Sequence, residues 1–308
     1  MQTTAIKQSM GLAEWAMLLG LSVIWGGSFF FNRVAVAELP VFIVVAGRVG
    51  IAALILWAIV LITQTPLPRE PKIYWQLLFL GLVNSALPFS FIVWGQTHIG
   101  SGLASIINAT TPFFTIIIAN RLLQDEKLTW LKLAGVIIGI AGVAAMMGVS
   151  ALSASGDHLI YELALIASSI CYGIGSTYAR RFRNLPPLVT ATGQISGASV
   201  IILPAAFIID APLAAFSASW PALASILALA ALSTAFAYLL YFRVLRSSGA
   251  TNVALVTFMV PVSAILLGIL FLNETLELRQ LGGMAAIGLG LALIDGRLWR
   301  ALTGKKPN

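Results

Sequence analysis

Apolar runs of about twenty residues recur along the whole chain, and this recurrence limits the fold more than any other feature. A helix needs about 20 mostly apolar residues to cross a bilayer. Ten runs of this kind are separated by short polar or proline-containing breaks. They are Leu12–Phe31, Val41–Ile62, Ile73–Thr97, Gly100–Ala119, Leu131–Val149, Leu159–Tyr178, Leu188–Ile209, Ala222–Phe242, Ala250–Leu272 and Leu278–Ile294. The sequence therefore predicts an all-α membrane protein with ten transmembrane helices.

The composition excludes an ordinary soluble domain. Only 9% of the 308 residues are charged and 59% are hydrophobic, whereas soluble domains carry about 25% charged residues. The net charge of +7 comes from lysines and arginines grouped between apolar runs, so nucleic acid is not an expected partner. The single cysteine, Cys171, lies inside an apolar run, which excludes a disulfide framework. The expected partners are the lipid bilayer and a small solute, and a monomer is compatible with this pattern.

The distribution of lysine and arginine predicts the orientation of the chain. Positively charged loops are retained on the cytoplasmic side of a membrane. With the N-terminus inside, nearly all loop lysines and arginines fall on the cytoplasmic side, and only Arg33 and Arg279 fall in outer loops. An even number of helices with both termini cytoplasmic satisfies every loop.

The second half of the chain repeats the first. An odd number of helices in each repeat inserts the second copy in the opposite orientation, and inverted repeats place a solute site near the midplane where they meet. The sequence thus predicts two inverted five-helix domains, residues 1–150 and 151–308, around a central cavity. The aligned features are Trp25–Arg33 with Tyr172–Arg180, Pro112 to Glu126 with Pro261 to Glu274, Gly135 with Gly283, and Gly142 with Gly290.

Taken together, these features resemble the drug/metabolite transporter superfamily and, within it, the ten-helix EamA-type exporters. The resemblance rests on Trp25-Gly26, Arg48, the stretches ending at Glu126 and Glu274, and the glycine-rich fifth and tenth helices. The pattern is most like that of bacterial inner-membrane exporters of aromatic and other neutral amino acids. The resemblance implies alternating access, export of small metabolites, a multi-pass location in the inner membrane, and neither enzymatic activity nor a cofactor or metal.

Polar side chains inside apolar runs are candidates to line the solute path, because such groups face protein or water rather than lipid. Ser101, Ser105, Asn108 and Thr115 follow one face of the fourth helix, with Thr111 and Pro112 adjoining. They either line a cavity or hydrogen-bond neighbouring helices, a role typically worth about 1 kcal/mol. Helix-to-helix bonding is favoured for the serines and threonines, and both interpretations stay open for Asn108.

Two matched polar pairs, Asn84-Ser85 and Ser233-Thr234, lie near the middle of the third and eighth helices. Their equivalent positions predict a shared central chamber. Pro88 removes a backbone donor and predicts a kink that could expose carbonyls to a substrate ammonium, although a static kink is the alternative. Aromatic residues are candidates for the chamber wall or for the interfacial belt. They are Trp25, Trp94, Tyr172, Tyr178 and Tyr238.

Charged residues indicate the mechanism. Arg48 lies about two turns into the second helix, and we favour a structural or gating role, fixed by backbone carbonyls or a loop carboxylate, over substrate binding. Pro112 and Pro261 are assigned the same class of role. Asp, Glu and His are absent from the predicted midplane, which favours a facilitator over tight proton coupling. The eighth to tenth helices lack a deep Lys or Arg, which argues against phosphorylated substrates.

Other functions fit the pattern less well. An intramembrane protease needs Ser with His, paired Asp residues or a His-bound zinc at membrane depth, and both histidines lie at loop edges. A receptor or scaffold would usually add a domain outside the membrane, and the loops are short. The alternative within transport is a proton-coupled exporter of lipophilic drugs or cations that uses Glu14 in the first helix.

Overall fold

The computed structural model describes residues 12–122, 129–147, 158–210, 218–241, 243–244 and 256–295. Within these ranges the regular structure is entirely helical, and ten helical segments follow one another. They are α1 Leu12–Val36, α2 Val41–Thr63, α3 Pro71–Gly95, α4 Ser101–Leu122, α5 Trp130–Met147, α6 Leu159–Phe182, α7 Pro187–Ile209, α8 Trp220–Tyr241, α9 Val256–Leu272 and α10 Leu278–Asp295.

Seven of the described helices are long and apolar enough to cross a membrane, namely α1, α2, α3, α4, α6, α7 and α8. The apolar parts of α5, α9 and α10 are shorter: Trp130–Ala145, Met259–Leu272 and Leu278–Ile294. An all-helical membrane protein is therefore confirmed, while crossing by all ten helices stays a prediction. The predicted ends at Val149, Phe242 and Ala250 lie outside the described residues.

Two long helices contain a π-helical segment at corresponding places. In α3 this segment is Leu82–Ala86, and in α8 it is Ala231–Phe236. The N–H of Leu87 bonds to the carbonyl of Leu82, five residues back, and in α8 the Thr234 hydroxyl donates to the carbonyl of Leu229 at 2.8 Å. A π-helical segment thus lies just before Pro88, and the kink predicted there stays a prediction. Such segments are rare and occur frequently at functional sites.

The fourth helix is also interrupted. A turn at Ala109 and Thr110 separates Ser101–Asn108 from Thr111–Leu122. Pro112 is the second residue of the later part, where its missing N–H leaves no helical bond unmade.

In the described residues, the two halves of the chain pack against each other through many helix pairs. The main helix pairs each join one of α1–α5 to one of α6–α10. They are α1 with α8 and α9, α6 with α3 and α4, α2 with α7 and α8, α3 with α7, α4 with α9, and α5 with α10. Neither half therefore buries its apolar surface independently of the other.

Glycines allow α5 and α10 to approach closely. A Cβ atom on Gly135 would lie 2.5 Å from the carbonyl oxygen of Gly290, and one on Gly142 would lie 2.9 Å from that of Gly283. A Cβ on Gly81 of α3 would similarly lie 2.5 Å from the carbonyl oxygen of Gln194 on α7. Small residues at these crossings let backbones touch, which is a common way for membrane helices to associate.

Candidate functional site

Arg48 on α2 lies deep inside the protein with 5% of its surface exposed. Its Nε donates to Oγ1 of Thr234, in the π segment of α8, at 3.0 Å. The guanidinium carbon lies 3.7 Å from the ring centroid of Phe89 on α3, a cation–π contact. The sequence led us to expect a backbone carbonyl or a loop carboxylate as the partner of Arg48. In the described residues its hydrogen-bond partner is instead a threonine hydroxyl from the other half of the chain.

A second set of contacts mirrors the first. Nε2 of Gln194 on α7 donates to Oγ of Ser85, in the π segment of α3, at 2.8 Å, and to the hydroxyl of Tyr238 on α8 at 2.7 Å. Tyr238 and Tyr172 also lie close enough to Arg48 to interact with its charge. We call Arg48, Ser85, Gln194, Thr234 and Tyr238 the central polar cluster. It is assembled from α2, α3, α7 and α8.

The two sets occupy matching positions in the chain. Leu39-Pro40 precede Gly47-Arg48 at the same spacing as Leu185-Pro186 precede Gly193-Gln194, so Arg48 corresponds to Gln194. If Ser85 corresponds to Thr234, then Phe89 corresponds to Tyr238 four residues later. Arg48 contacts Thr234 and Phe89, and Gln194 contacts Ser85 and Tyr238. The same arrangement is built twice, with different side chains at each end.

Residues next to the cluster come from α6. Tyr172 packs against both large apolar clusters of the core, so it lies between the two groups of helices. Asn84 contacts α6 at Gly175, where an added Cβ atom would lie 2.5 Å from the Asn84 side-chain oxygen. Pro88 is buried one turn beyond Asn84. These predicted residues therefore lie on the α3 and α6 side of the cluster.

Asn108 holds α4 against α6 at the interruption of α4, and Thr111 bonds to Asn108 within α4. Ser168 Oγ donates to the side-chain oxygen of Asn108 at 3.3 Å, and Ser169 Oγ donates to its backbone carbonyl at 3.5 Å. Thr111 Oγ1 also donates to that carbonyl, at 2.8 Å. Asn108 is only half-buried, so it bonds a neighbouring helix while keeping part of its surface open.

The aromatic candidates are divided among different regions. Tyr238 belongs to the central polar cluster and Tyr172 adjoins it, while the ring centroid of Trp25 lies 5.8 Å from that of Tyr241. Trp94 lies near the end of α3, with its ring centroid 5.5 Å from that of Tyr161. The ring centroid of Tyr178 lies 4.8 Å from that of Phe79, in the first half of α3. Pro261 is buried inside α9.

Comparison with known protein families matches both halves of the sequence to one family. The model of the EamA-like transporter family matches residues 13–148 and again residues 159–295. The chain belongs to the EamA-like transporter family. It is accordingly a multi-pass membrane transporter of the EamA type, as its residues suggested.

Named relatives of this EamA-like transporter match over most of their length. It is 24% identical over 277 residues to "Uncharacterized transporter YoaV" of Bacillus subtilis, covering 89% of this chain and 94% of that protein. It is 25% identical over 295 residues to "Uncharacterized inner membrane transporter YedA" of Escherichia coli, covering 94% and 92%. A solved crystal structure superimposes with a TM-score of 0.67 at 17% identity, covering 94% of this chain and 99% of that one. That structural likeness shows the fold.

Some buried or partly buried polar residues that the structure brings together were not singled out from the sequence. Gln194 is one, and Gln96 is another: it accepts from Asn32 Nδ2 at 3.2 Å and donates to the carbonyl of Phe29 at 2.7 Å. Arg33 NH1 donates to the carbonyl of Thr97 at 2.9 Å. The available signal was the Leu-Pro to Gly-Arg and Leu-Pro to Gly-Gln spacing, which marks position 194 as the counterpart of position 48.

Three carboxylates of the EamA-like transporter cap helix N-termini that belong to the opposite half. Asp210 accepts from the N–H groups of Phe42 and Ile43 at 2.8 and 3.1 Å, at the start of α2. Glu38 accepts from the N–H of Ser219 at 2.8 Å, before α8, and Glu274 accepts from the N–H of Ser101 at 2.7 Å, at the start of α4. Anions are favourable at such helix ends. We call these contacts the carboxylate clamps.

The Glu38 clamp predicts a pH-dependent contribution to stability. The hydroxyl of Ser219, followed by its backbone N–H, lowers the pKa of the Glu38 carboxyl below its ordinary value of 4.5. A depressed folded-state pKa adds stability above the unfolded-state pKa, and this contribution is lost as the pH falls through the folded-state pKa. We expect the melting temperature difference between the wild type and Glu38→Gln to shrink towards zero between about pH 6 and pH 3. A difference that stays constant over that range would contradict a role for the charge.

Proposed function

We propose that this EamA-like transporter exports small neutral or zwitterionic metabolites, including aromatic and other amino acids, by alternating access. The observation that supports this most strongly is the central polar cluster. It combines one buried cation, Arg48, with hydroxyl and amide groups from Thr234, Ser85 and Gln194. Tyr172 and Tyr238 supply aromatic surface beside them. Uncharged polar groups and ring faces are suited to a small zwitterion with an apolar side chain.

We propose further that ten membrane-crossing helices form two inverted repeats, within residues 1–150 and 151–308. The helix pairs support this, because exchanging α1–α5 with α6–α10 converts each main pair into another of the set or into itself. The crossed glycines support it as well, since Gly135 meets Gly290 while Gly142 meets Gly283. A contact of residue i with j, repeated between their counterparts, is what a two-fold relation produces.

The proposed orientation places both termini in the cytoplasm and the carboxylate clamps on the outer face of a bacterial inner membrane. Its support is the distribution of lysine and arginine among the loops. Exposed aromatic residues near helix ends fit an interfacial belt: Trp75 is 72% exposed, Trp130 83% and Trp220 77%. The relative from Escherichia coli that is named an inner membrane transporter supports the same location.

We propose that transport is facilitated and has no tight coupling to protons. In the described residues, the carboxylates lie in loops or in the first or last turn of a helix. Glu14, on which the proton-coupled export of drugs or cations would depend, lies in the first turn of α1. The central polar cluster contains no carboxylate that could relay a proton. The relatives are named as transporters, and we propose no catalytic activity for this chain.

Counterflow in proteoliposomes tests the proposed function. Purified protein is reconstituted into liposomes preloaded with unlabelled amino acid, and uptake of labelled phenylalanine, leucine and alanine is followed with and without a pH gradient. We expect saturable uptake that the gradient changes by less than about twofold, and none in protein-free liposomes. Uptake of a lipophilic cation that requires the gradient, together with no amino-acid uptake, would contradict the proposal and favour the drug-export alternative.

A further inference from the structure

The buried guanidinium of Arg48 has hydrogen-bonding capacity left over. Arginine carries five N–H donors, and in the described residues only Nε has a partner, Thr234 at 3.0 Å. Among the described residues, Asn32 Oδ1 is the side-chain polar atom that is fully buried and has no hydrogen-bond partner. No nitrogen of Arg48 is both fully buried and without a partner. The two terminal nitrogens of Arg48 therefore keep contact with accessible space inside a residue that is 5% exposed.

No carboxylate in the described residues neutralises this charge. Glu38, Asp210 and Glu274 are bonded to helix N-termini, and Glu277 is bonded to Arg279. The titratable groups near Arg48 are the phenols of Tyr172 and Tyr238, which carry no charge at neutral pH. A buried cation without an anion is unfavourable, and a guanidinium fork matches a carboxylate through two parallel hydrogen bonds. Arg48 thus offers a site for an anion that the described part of the protein does not supply.

The corresponding position in the other half offers the complementary group. Gln194 is 3% exposed, and its Nε2 is used by Ser85 and Tyr238. Its side-chain oxygen has no hydrogen-bond partner in the described residues, and it is not fully buried either. This oxygen can accept a hydrogen bond, for example from an ammonium group. The cluster is therefore polarised, with a donor fork at Arg48 and an acceptor at Gln194, although the surrounding contacts match.

Resting on the transport function proposed above, we propose that Arg48 binds the carboxylate of the solute and that the Gln194 side-chain oxygen binds its amino group. The substrate class is then monocarboxylates with an apolar or aromatic side chain, with α-amino acids held at both groups. Because the two halves differ at these positions, the solute binds in one orientation. Amines that lack a carboxylate are excluded, since they would meet the positive charge of Arg48.

Ligand-induced thermal stabilisation of the purified full-length protein tests this assignment without requiring transport. The probes are L-phenylalanine, 3-phenylpropionate, which lacks the amino group, and phenethylamine, which lacks the carboxylate. We expect the wild type to bind the first two and not the third. In Arg48→Met, binding of both carboxylates should weaken about 30-fold or more, since one partner of a buried charge pair has been removed. Arg279→Met, which removes an exposed arginine, should bind like the wild type.

Further variants separate anchoring from a purely structural role. Arg48→Lys keeps the charge without the fork, so it should bind 3-phenylpropionate more weakly than the wild type but better than Arg48→Met. Gln194→Met should lose the preference for L-phenylalanine over 3-phenylpropionate while still binding 3-phenylpropionate. If Arg48→Met does not fold, competition between 3-phenylpropionate and 3-phenylpropionamide on the wild type decides the question.

Several results would overturn the assignment. These are unchanged carboxylate binding by Arg48→Met, or equal binding of the carboxylate and its amide by the wild type. Failure of the transport function is distinguishable. A wild type that binds 3-phenylpropionate through Arg48 but shows no amino-acid counterflow would retain the anion site and refute amino-acid transport.

Discussion

Replacing Gly290 of α10 by valine is expected to prevent stable packing of α5 against α10. A Cβ atom at this position would lie 2.5 Å from the carbonyl oxygen of Gly135 and 3.0 Å from the backbone nitrogen of Gly139. Backbone atoms of a neighbouring helix cannot rotate away as a side chain can, so the whole pair must separate. Overpacking usually costs 1–3 kcal/mol, and we expect about 3 kcal/mol or more here. Thermal unfolding of the detergent-solubilised protein measures the loss.

Gly288 supplies the matched control on the same helix. A Cβ atom there meets nothing within 4 Å, and the change from glycine to valine alters helix propensity equally at both positions. Gly288→Val should therefore melt within a few degrees of the wild type, whereas Gly290→Val should melt far below it or fail to yield folded protein. Equal melting temperatures for the two variants would mean that α5 and α10 do not depend on the close glycine crossing.

Replacing Glu274 by alanine is expected to release α9 from α4. Its carboxylate accepts from the N–H of Ser101 at 2.7 Å, from Ser101 Oγ at 2.9 Å and from the N–H of Gly102 at 3.0 Å. Hydrogen bonds to a charged group and loss of a helix cap together predict a destabilisation of about 2–4 kcal/mol. Under the proposed orientation, a Ser105→Cys side chain behind this clamp should also react faster with a membrane-impermeant maleimide added outside.

Glu277 provides the control for this prediction, because it lies three residues further along and is exposed, bonded to its neighbour Arg279. Exposed ion pairs contribute little, so Glu277→Ala should change the melting temperature and the maleimide reaction rate only slightly. If Glu274→Ala leaves both quantities at wild-type values, the clamp does not hold the two helices together. A fall in stability without faster labelling would assign Glu274 to stability alone.

The sequence predicts depth in the membrane better than direction around a helix. Position along a helix places Ser85 and Thr234 near its middle, and both residues lie in the central polar cluster. Asn84, next to Ser85, faces Gly175 on α6 instead. When a helix is apolar on all sides, its pattern does not show which face meets which neighbour. For the same reason the sequence could not separate Tyr238, a member of the cluster, from Tyr178, which packs on Phe79.

The partner of Arg48 could not be identified from local pattern. Thr234 is 186 residues away in the chain, and its hydroxyl is placed by a π-turn that has no proline to announce it. Gln194 could not be recognised as the counterpart of Arg48 by sequence similarity, because an amide and a guanidinium differ in chemistry. The residues that give the site its polarity are the ones at which the halves diverge. Positions that correspond between the two halves but differ in charge therefore identify both Arg48 and Gln194.

The π segments in α3 and α8 bear on how such a protein can move. Each turn of π-helix holds more residues than a turn of α-helix, and every residue in an α-helix advances the direction of its side chain by about 100°. If the backbone hydrogen bonds of Leu82–Ala86 were shifted by one residue, one part of α3 would therefore rotate about the helix axis relative to the other, and the helix would not shorten. Ala231–Phe236 gives α8 the same freedom. Ser85 and Thr234 lie in these two π-helical segments. A local exchange of backbone hydrogen-bond partners there therefore changes the direction of the hydroxyls that bind Gln194 and Arg48.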